Sequence, residues 1–148
     1  MNEKLRKHII MDGLPGFEEF QDYSGKQIRF RYTYHDAGNV FTLRAIEDNK
    51  GEVSREFCVY DHINPVNNLF KIRQIIRREL NTRYFSDSEN DAFDEMNLDY
   101  FKGNITADKK NEVCIVIDGK KMRMTDLEDL LDTHQGFEIE IKITDGST

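Results

Sequence analysis

Asp87, Glu89 and Asp91 alternate in the way the first ligands of a calcium loop do. An EF-hand loop then needs glycine at its sixth position for a sharp turn and glutamate at its twelfth as a bidentate ligand. Those positions hold Ala92 and Leu98, so the stretch reads as a solvated acidic loop. Cys58 and His62 stand four apart, and Cys114 could join them as a third zinc ligand. Both cysteines, however, fall in apolar strand patterns, where a thiol is ordinarily a small buried hydrophobe. No metal and no cofactor is expected. His35-Asp36 and Asp61-His62 offer acid–base pairs in sequence. Adjacent strand residues point to opposite faces, and a general base must be held at hydrogen-bond distance from its proton. No GxSxG, HExxH or glycine-rich phosphate loop occurs. No catalytic residue is assigned, and His134 reads as a packing residue.

The charge layout offers more. From Val66 to Phe85 the chain carries Lys71, Arg73, Arg77, Arg78 and Arg83 against one acid, Glu79. The next fourteen residues carry Asp87, Glu89, Asp91, Asp94, Glu95 and Asp99 and no base. Two binding elements follow as candidates: an acidic loop (Asp87, Glu89, Asp91, Asp94) for a basic partner, and a basic helix (Arg73, Arg77, Arg78) for an acidic one. The competing reading is mutual compensation and ordinary surface charge, since exposed ion pairs are common and weak.

Those residues need a scaffold, and the composition supplies one. The chain has 148 residues, the length of one ordinary domain, with ten Phe and six Tyr to build a core. Its net charge of −7 repels phosphate backbones and disfavours nucleic acid as a partner. Two cysteines outside any CxxC pair support neither a disulfide framework nor a zinc finger. No apolar run approaches the roughly 20 residues that span a bilayer, so no membrane is expected and a cytoplasmic location follows by default.

Residues 2–12 suggest a short helix, and Pro15-Gly16 break it. Phe17, Phe20 and Tyr23 are expected to anchor the segment that follows. IRFRYTY alternates, with Ile28, Phe30, Tyr32 and Tyr34 on one face and Arg29, Arg31 and Thr33 on the other. VFTLRAI continues with Phe41, Leu43 and Ala45 on one face, and REFCVYD follows as a third strand. Short turns make these an antiparallel meander. Asn64-Pro65 open a helix expected to run to about Phe85, with Val66, Leu69, Phe70, Ile76, Leu80 and Tyr84 on its apolar side. Tyr100 to Ile105 reads as a strand or an irregular edge. VCIVI and the returning arm Lys120–Met124 flank Asp118-Gly119, the strongest short hairpin signal. Thr125 and Glu128 have capping-box spacing for a helix bearing Leu127, Leu130, Leu131 and His134, which Gly136 should stop. FEIEIKI then alternates. Phe137, Ile139, Ile141 and Ile143 are expected inward and buried, Glu138, Glu140 and Lys142 outward.

The run VCIVIDGKKMRMTDLEDLLDTHQGFEIEIKITD resembles the closing module of a group of small bacterial proteins of unknown function. In those an apolar strand runs into IDGK, a short helix follows, and a G-F step leads into a final alternating strand. The order of AIED, REFCVYD and LFKIRQIIRREL upstream is similar, so the resemblance spans roughly 27–145. Some members carry an N-terminal cysteine-rich stretch; residues 1–26 contain no cysteine. The resemblance implies a fold and brings no activity.

The fold class expected is α+β: an antiparallel sheet of about five strands with two main helices on one face. One domain is expected over 1–148, with an N-terminal extension at 1–25 and the acidic loop at 86–99. The function expected is non-catalytic protein binding by a bacterial or phage-borne protein, such as an immunity protein, inhibitor or accessory subunit. The alternatives are a metal-dependent hydrolase or nuclease built on scattered Asp and Glu, and a nucleic-acid binder using Arg29, Arg31 and the arginine helix. An exposed apolar patch would favour the first.

Overall fold

Alternation sets the first sheet. Strand β2 (Gln27–Asp36) buries Ile28, Phe30 and Tyr32 and exposes Arg29, Arg31 and Thr33. It pairs antiparallel with β3 (Phe41–Glu47), which buries Phe41, Leu43 and Ala45. Strand β4 (Glu56–Asp61) continues the meander on the far side of β3. The other edge is β1 (Phe17–Gln21), with Phe20 opposite Ile28, giving the order β1-β2-β3-β4. The computed structural model describes residues 13–50, 53–86, 93 and 95–145. The helix expected over 2–12 lies outside them.

Helix α1 (Pro65–Leu80) covers this sheet, packing on β1, β3 and β4. The Asn64 side chain accepts the Val66 N–H at 2.8 Å, and Pro65 occupies the first turn, where its missing N–H has no consequence. Leu69, Ile72, Ile76 and Leu80 form one buried stripe at three- and four-residue spacing. They join Phe20, Ile28, Phe30, Tyr32, Leu43, Ala45 and Val59 in a single core. Two expectations are corrected. The helix ends at Leu80, where Asn81 caps it by donating to the Arg77 carbonyl at 2.7 Å, and does not reach Phe85. Val66 and Phe70 lie off the stripe, 56% and 64% exposed, while Asn68 lies on it and donates to the buried Phe41 carbonyl at 2.9 Å.

The second sheet has the order β5-β6-β7, from β5 (Asn104–Ala107), β6 (Val113–Ile117) and β7 (Lys120–Arg123). Asp118 and Gly119 turn β6 into β7 with φ of 55° and 78°, the left-handed pair that a two-residue hairpin requires. The Asp118 carboxylate also accepts the Tyr84 and Phe85 N–H groups at 3.1 and 2.9 Å. Gly103 enters β5 beneath β6, where a Cβ would stand 2.5 Å from the Val116 carbonyl oxygen. Helix α2 (Met124–Asp132) follows β7 directly. Its first turn is closed by Asp126, which accepts the Arg123 N–H at 2.8 Å, and not by the expected Thr125–Glu128 pair. Leu130 is buried and Leu127 packs beside it, in a core shared with Tyr84, Phe85, Phe93, Ile117 and Met122.

The α+β class therefore holds, with its antiparallel strands in a sheet of four and a sheet of three. They fall in two compact units: one takes in β1 to β4, α1 and Thr144–Asp145, the other β5 to β7, α2 and the residues flanking them up to Ile143. The largest departure comes after α2. Residues 137–145 belong to no strand, and Phe137, Ile139, Ile141 and Ile143 are 76%, 62%, 77% and 75% exposed. Their expected burial is overturned. The reason is physical: alternation states which side chains share a face, whereas burial also needs a neighbouring strand to fix that face against a core.

Two substitutions separate the core from this segment. Ile76→Ala, at a position with no exposure, should cost about 2–5 kcal/mol in a urea titration through lost burial and a cavity. Ile141→Ala should cost under about 0.5 kcal/mol in the same titration at low protein concentration.

Candidate functional site

The arginine helix divides into structural and outward-facing charges. Arg73 grips Glu18 of β1 with two parallel bonds, Nε to Oε1 and Nη2 to Oε2, each 2.8 Å. Such a fork fixes geometry as well as charge. The Tyr32 hydroxyl donates to the same Glu18 Oε1 at 2.8 Å. Burial pushes the Glu18 carboxyl up, but the bonds from Arg73 and Tyr32 and the nearby charges outweigh it, leaving the group below the usual carboxylate range. Burial first, then Glu18, pushes the Tyr32 hydroxyl well up. Tyr34, which donates to the Pro15 carbonyl, is pushed up to about 12, chiefly by burial. Arg77 and Arg78 are exposed on the solvent side of α1; Arg77 sits over the Phe20 ring at 5.6 Å and Arg78 lies 3.5 Å from Glu79.

The acidic candidates Asp87, Glu89, Asp91 and Asp94 lie outside the described residues. The residues on either side of them pair. Phe85 and Met96 form an antiparallel bridge, and the Ser86 N–H donates to the Glu95 carbonyl at 2.8 Å. Phe93, inside the acidic stretch, is buried against Phe85 with ring centroids 5.0 Å apart.

The acid–base pairs serve turns. Asp36 accepts the Gly38 N–H at 2.8 Å. Asp61 accepts the N–H groups of Ile63 and Asn64 at 2.7 and 2.8 Å, and these bonds hold its carboxyl at about 2. His62 Nδ1 lies 3.0 Å from the Asn39 carbonyl oxygen. His134 lies at the end of α2, its Nδ1 2.7 Å from the Leu130 carbonyl oxygen and its ring edge-on to Phe137. Cys114 is buried in β6 and Cys58 half-buried in β4. Among the described residues no three His, Cys, Asp or Glu side chains are grouped to hold a metal.

On β2, Arg29 and Arg31 point away from the core. The Arg29 guanidinium lies 4.0 Å from the centre of the Phe17 ring and 3.7 Å from Glu19. Sequence reasoning missed β1 for this reason. Phe17 and Phe20 are three apart, so they point to opposite faces, one under an arginine and one into the core.

Two exposed apolar features remain. On the first unit Ile63, Val66 and Phe70 form a short stripe at the start of α1, at 84%, 56% and 64% exposure. On the second, residues 137–143 follow Gly136, whose φ is +91°, as a segment of alternating sequence that belongs to no strand. Its apolar row stands in solvent, and among the described residues no strand pairs with it. The segment's pattern was plain in the sequence; its lack of a partner strand was not.

The carboxylate bonds give a signed acid response. Glu18 and Asp61 both have folded pKa values below their ordinary ones. Each therefore adds stability that is complete above the unfolded value of about 4 and is lost as pH falls through the folded value. The urea midpoint should fall progressively from about pH 5 to about pH 2. Glu18→Gln should lower it at pH 7 and reduce the further fall on acidification. An unchanged acid slope in the variant would contradict the Glu18–Arg73–Tyr32 account.

Residues 84–148 match the family model described as Domain of unknown function (DUF7713). That interval includes β5 to β7, α2 and residues 137–143. No curated protein and no solved structure matches the chain. Among the described residues no helix is long and apolar enough to cross a membrane.

Proposed function

We propose that the chain is a non-catalytic protein-binding module that recognises its partner by adding residues 137–143 as a strand to a sheet edge. One observation carries this: four large apolar side chains alternate at 62–77% exposure along a segment that pairs with no strand among the described residues. An apolar row of that kind costs free energy in water until it is covered. Strand addition is the recognition mode that uses such a segment. Main-chain hydrogen bonds supply affinity, and alternate side chains supply specificity. Glu138, Glu140 and Lys142 occupy the other face of the alternation.

The charged candidates take a secondary part in this reading. Asp87, Glu89, Asp91 and Asp94 steer encounter with a basic surface, and Arg77 and Arg78 with an acidic one, since rim charges act mainly on association rate. Arg73 is committed to Glu18 and contributes through the fold. The resemblance to the small bacterial group supports a bacterial or phage-borne, cytoplasmic protein of the immunity, inhibitor or accessory kind.

The test is capture from native lysate with the wild-type chain and with Ile139→Ser/Ile141→Ser, after circular dichroism shows both folded. Recovery should be lost in the variant. Equal recovery would remove the segment as the recognition element.

A further inference from the structure

The sequence of the exposed segment is complementary to itself, and this names its partner. Phe137-Glu138-Ile139-Glu140-Ile141-Lys142-Ile143-Thr144 can meet a second copy of itself in few registers. A parallel, in-register pair stacks Glu on Glu and Lys on Lys, and like charges directly opposite are destabilising. An antiparallel slip of one residue sets every isoleucine opposite a charged or polar side chain and puts the apolar rows on opposite faces. An antiparallel pair centred on Glu140 matches the apolar rows and sets Glu138 against Lys142, but it brings the two Glu140 carboxylates face to face. An antiparallel pair centred on Ile141 brings no like charges together. Ile141 meets Ile141, Ile139 meets Ile143 on the same face, and Glu140 meets Lys142 on the other face; beyond them Phe137 would fall opposite Asp145, so the match is confined to residues 139–143. By symmetry each unlike pair occurs twice.

We propose that the chain forms a two-fold symmetric dimer by antiparallel pairing of residues 139–143 with the same residues of a second copy, centred on Ile141. The proposal rests on the strand-addition reading above and gives its partner an identity. An isologous contact is the commonest way identical chains associate, because one patch that complements itself closes the assembly at two. Here the charges supply the complementarity. Glu140 and Lys142 fix the register, and Ile139 and Ile143 either side of the Ile141 pair make one continuous apolar strip across two strands. Two short strands alone hold weakly, so the dimer is concentration-dependent.

The test uses the full purified chain. Sedimentation should show a monomer–dimer equilibrium over roughly 1–500 µM, a range set by the marginal stability of a two-stranded pair. Ile141→Cys should cross-link through its own counterpart on mild oxidation, because facing Cα atoms in an antiparallel pair lie about 4.5–5.5 Å apart, within disulfide reach. Glu138→Cys should not, because its counterpart lies about 20 Å away along the strands. The wild-type chain under the same oxidation sets the background from Cys58 and Cys114. Glu140→Lys should weaken association about fivefold or more, since two unlike pairs become like pairs, and Glu140→Lys/Lys142→Glu should restore it. Glu138, Glu140, Ile141 and Lys142 are exposed side chains outside both cores, so folding is kept.

A monomer throughout that range, cross-linking at Glu138→Cys as fast as at Ile141→Cys, or no rescue by the charge swap would overturn the dimer. If the purified chain stays monomeric while lysate capture still depends on Ile139 and Ile141, the second copy is refuted and strand addition to a different protein stands. If capture is also indifferent to them, both readings fall.

Discussion

Side chains of an extended chain alternate, so a strand with apolar residues at every second position presents a row that water penalises until another surface covers it. This constraint organises each unit. In the first, the row Ile28, Phe30, Tyr32 lies beside Leu43 and Ala45, and α1 covers them with Leu69, Ile72, Ile76 and Leu80. In the second, Ile117 and Met122 are covered by Leu130 of α2 and by Tyr84, Phe85 and Phe93. Residues 137–143 carry the same alternation without the same solution.

The polar groups follow from those covered rows. Helix α1 can lie on its sheet only if charges brought with it are matched. Arg73 meets Glu18 and Tyr32 at the margin of the core, and Asn68 spends its amide on the Phe41 carbonyl inside it. Asp61 and Asn64 satisfy the free N–H groups where β4 passes into α1. Asp118 does the corresponding work in the second unit, turning a hairpin while accepting the Tyr84 and Phe85 N–H groups. The acid-base pairs that drew notice in the sequence are thus fastenings of turns and helix starts.

Much of this was legible from local pattern. Strands β2 and β3 have one wet face, so alternation revealed both strand and face, and Asp118-Gly119 marked its hairpin because few residue pairs accept two positive φ angles. Patterns without a clear period misled. Helix α1 has apolar residues on more than one side, and only the packed structure separates the buried Ile72 and Ile76 from the exposed Val66 and Phe70. Strand β1 hid because Phe17 and Phe20 serve different faces. Residues 137–143 are the instructive case: the alternation is in the sequence, but their expected burial failed, because pairing is a property of two chains of atoms and a single stretch specifies only half of it.

The central proposal is that residues 138–143, which pair with no strand among the described residues, become a strand on association. Amide hydrogen exchange resolved to this segment tests it most directly, measured at a dilution where the protein is monomeric and again at high concentration. The account expects the amides of Glu138 to Ile143 to exchange at close to unprotected rates when dilute, and alternate amides to slow markedly when concentrated, while α1 and β2 stay protected throughout. Strong protection of the segment at every concentration would mean that it is already paired within the chain, and would contradict the account.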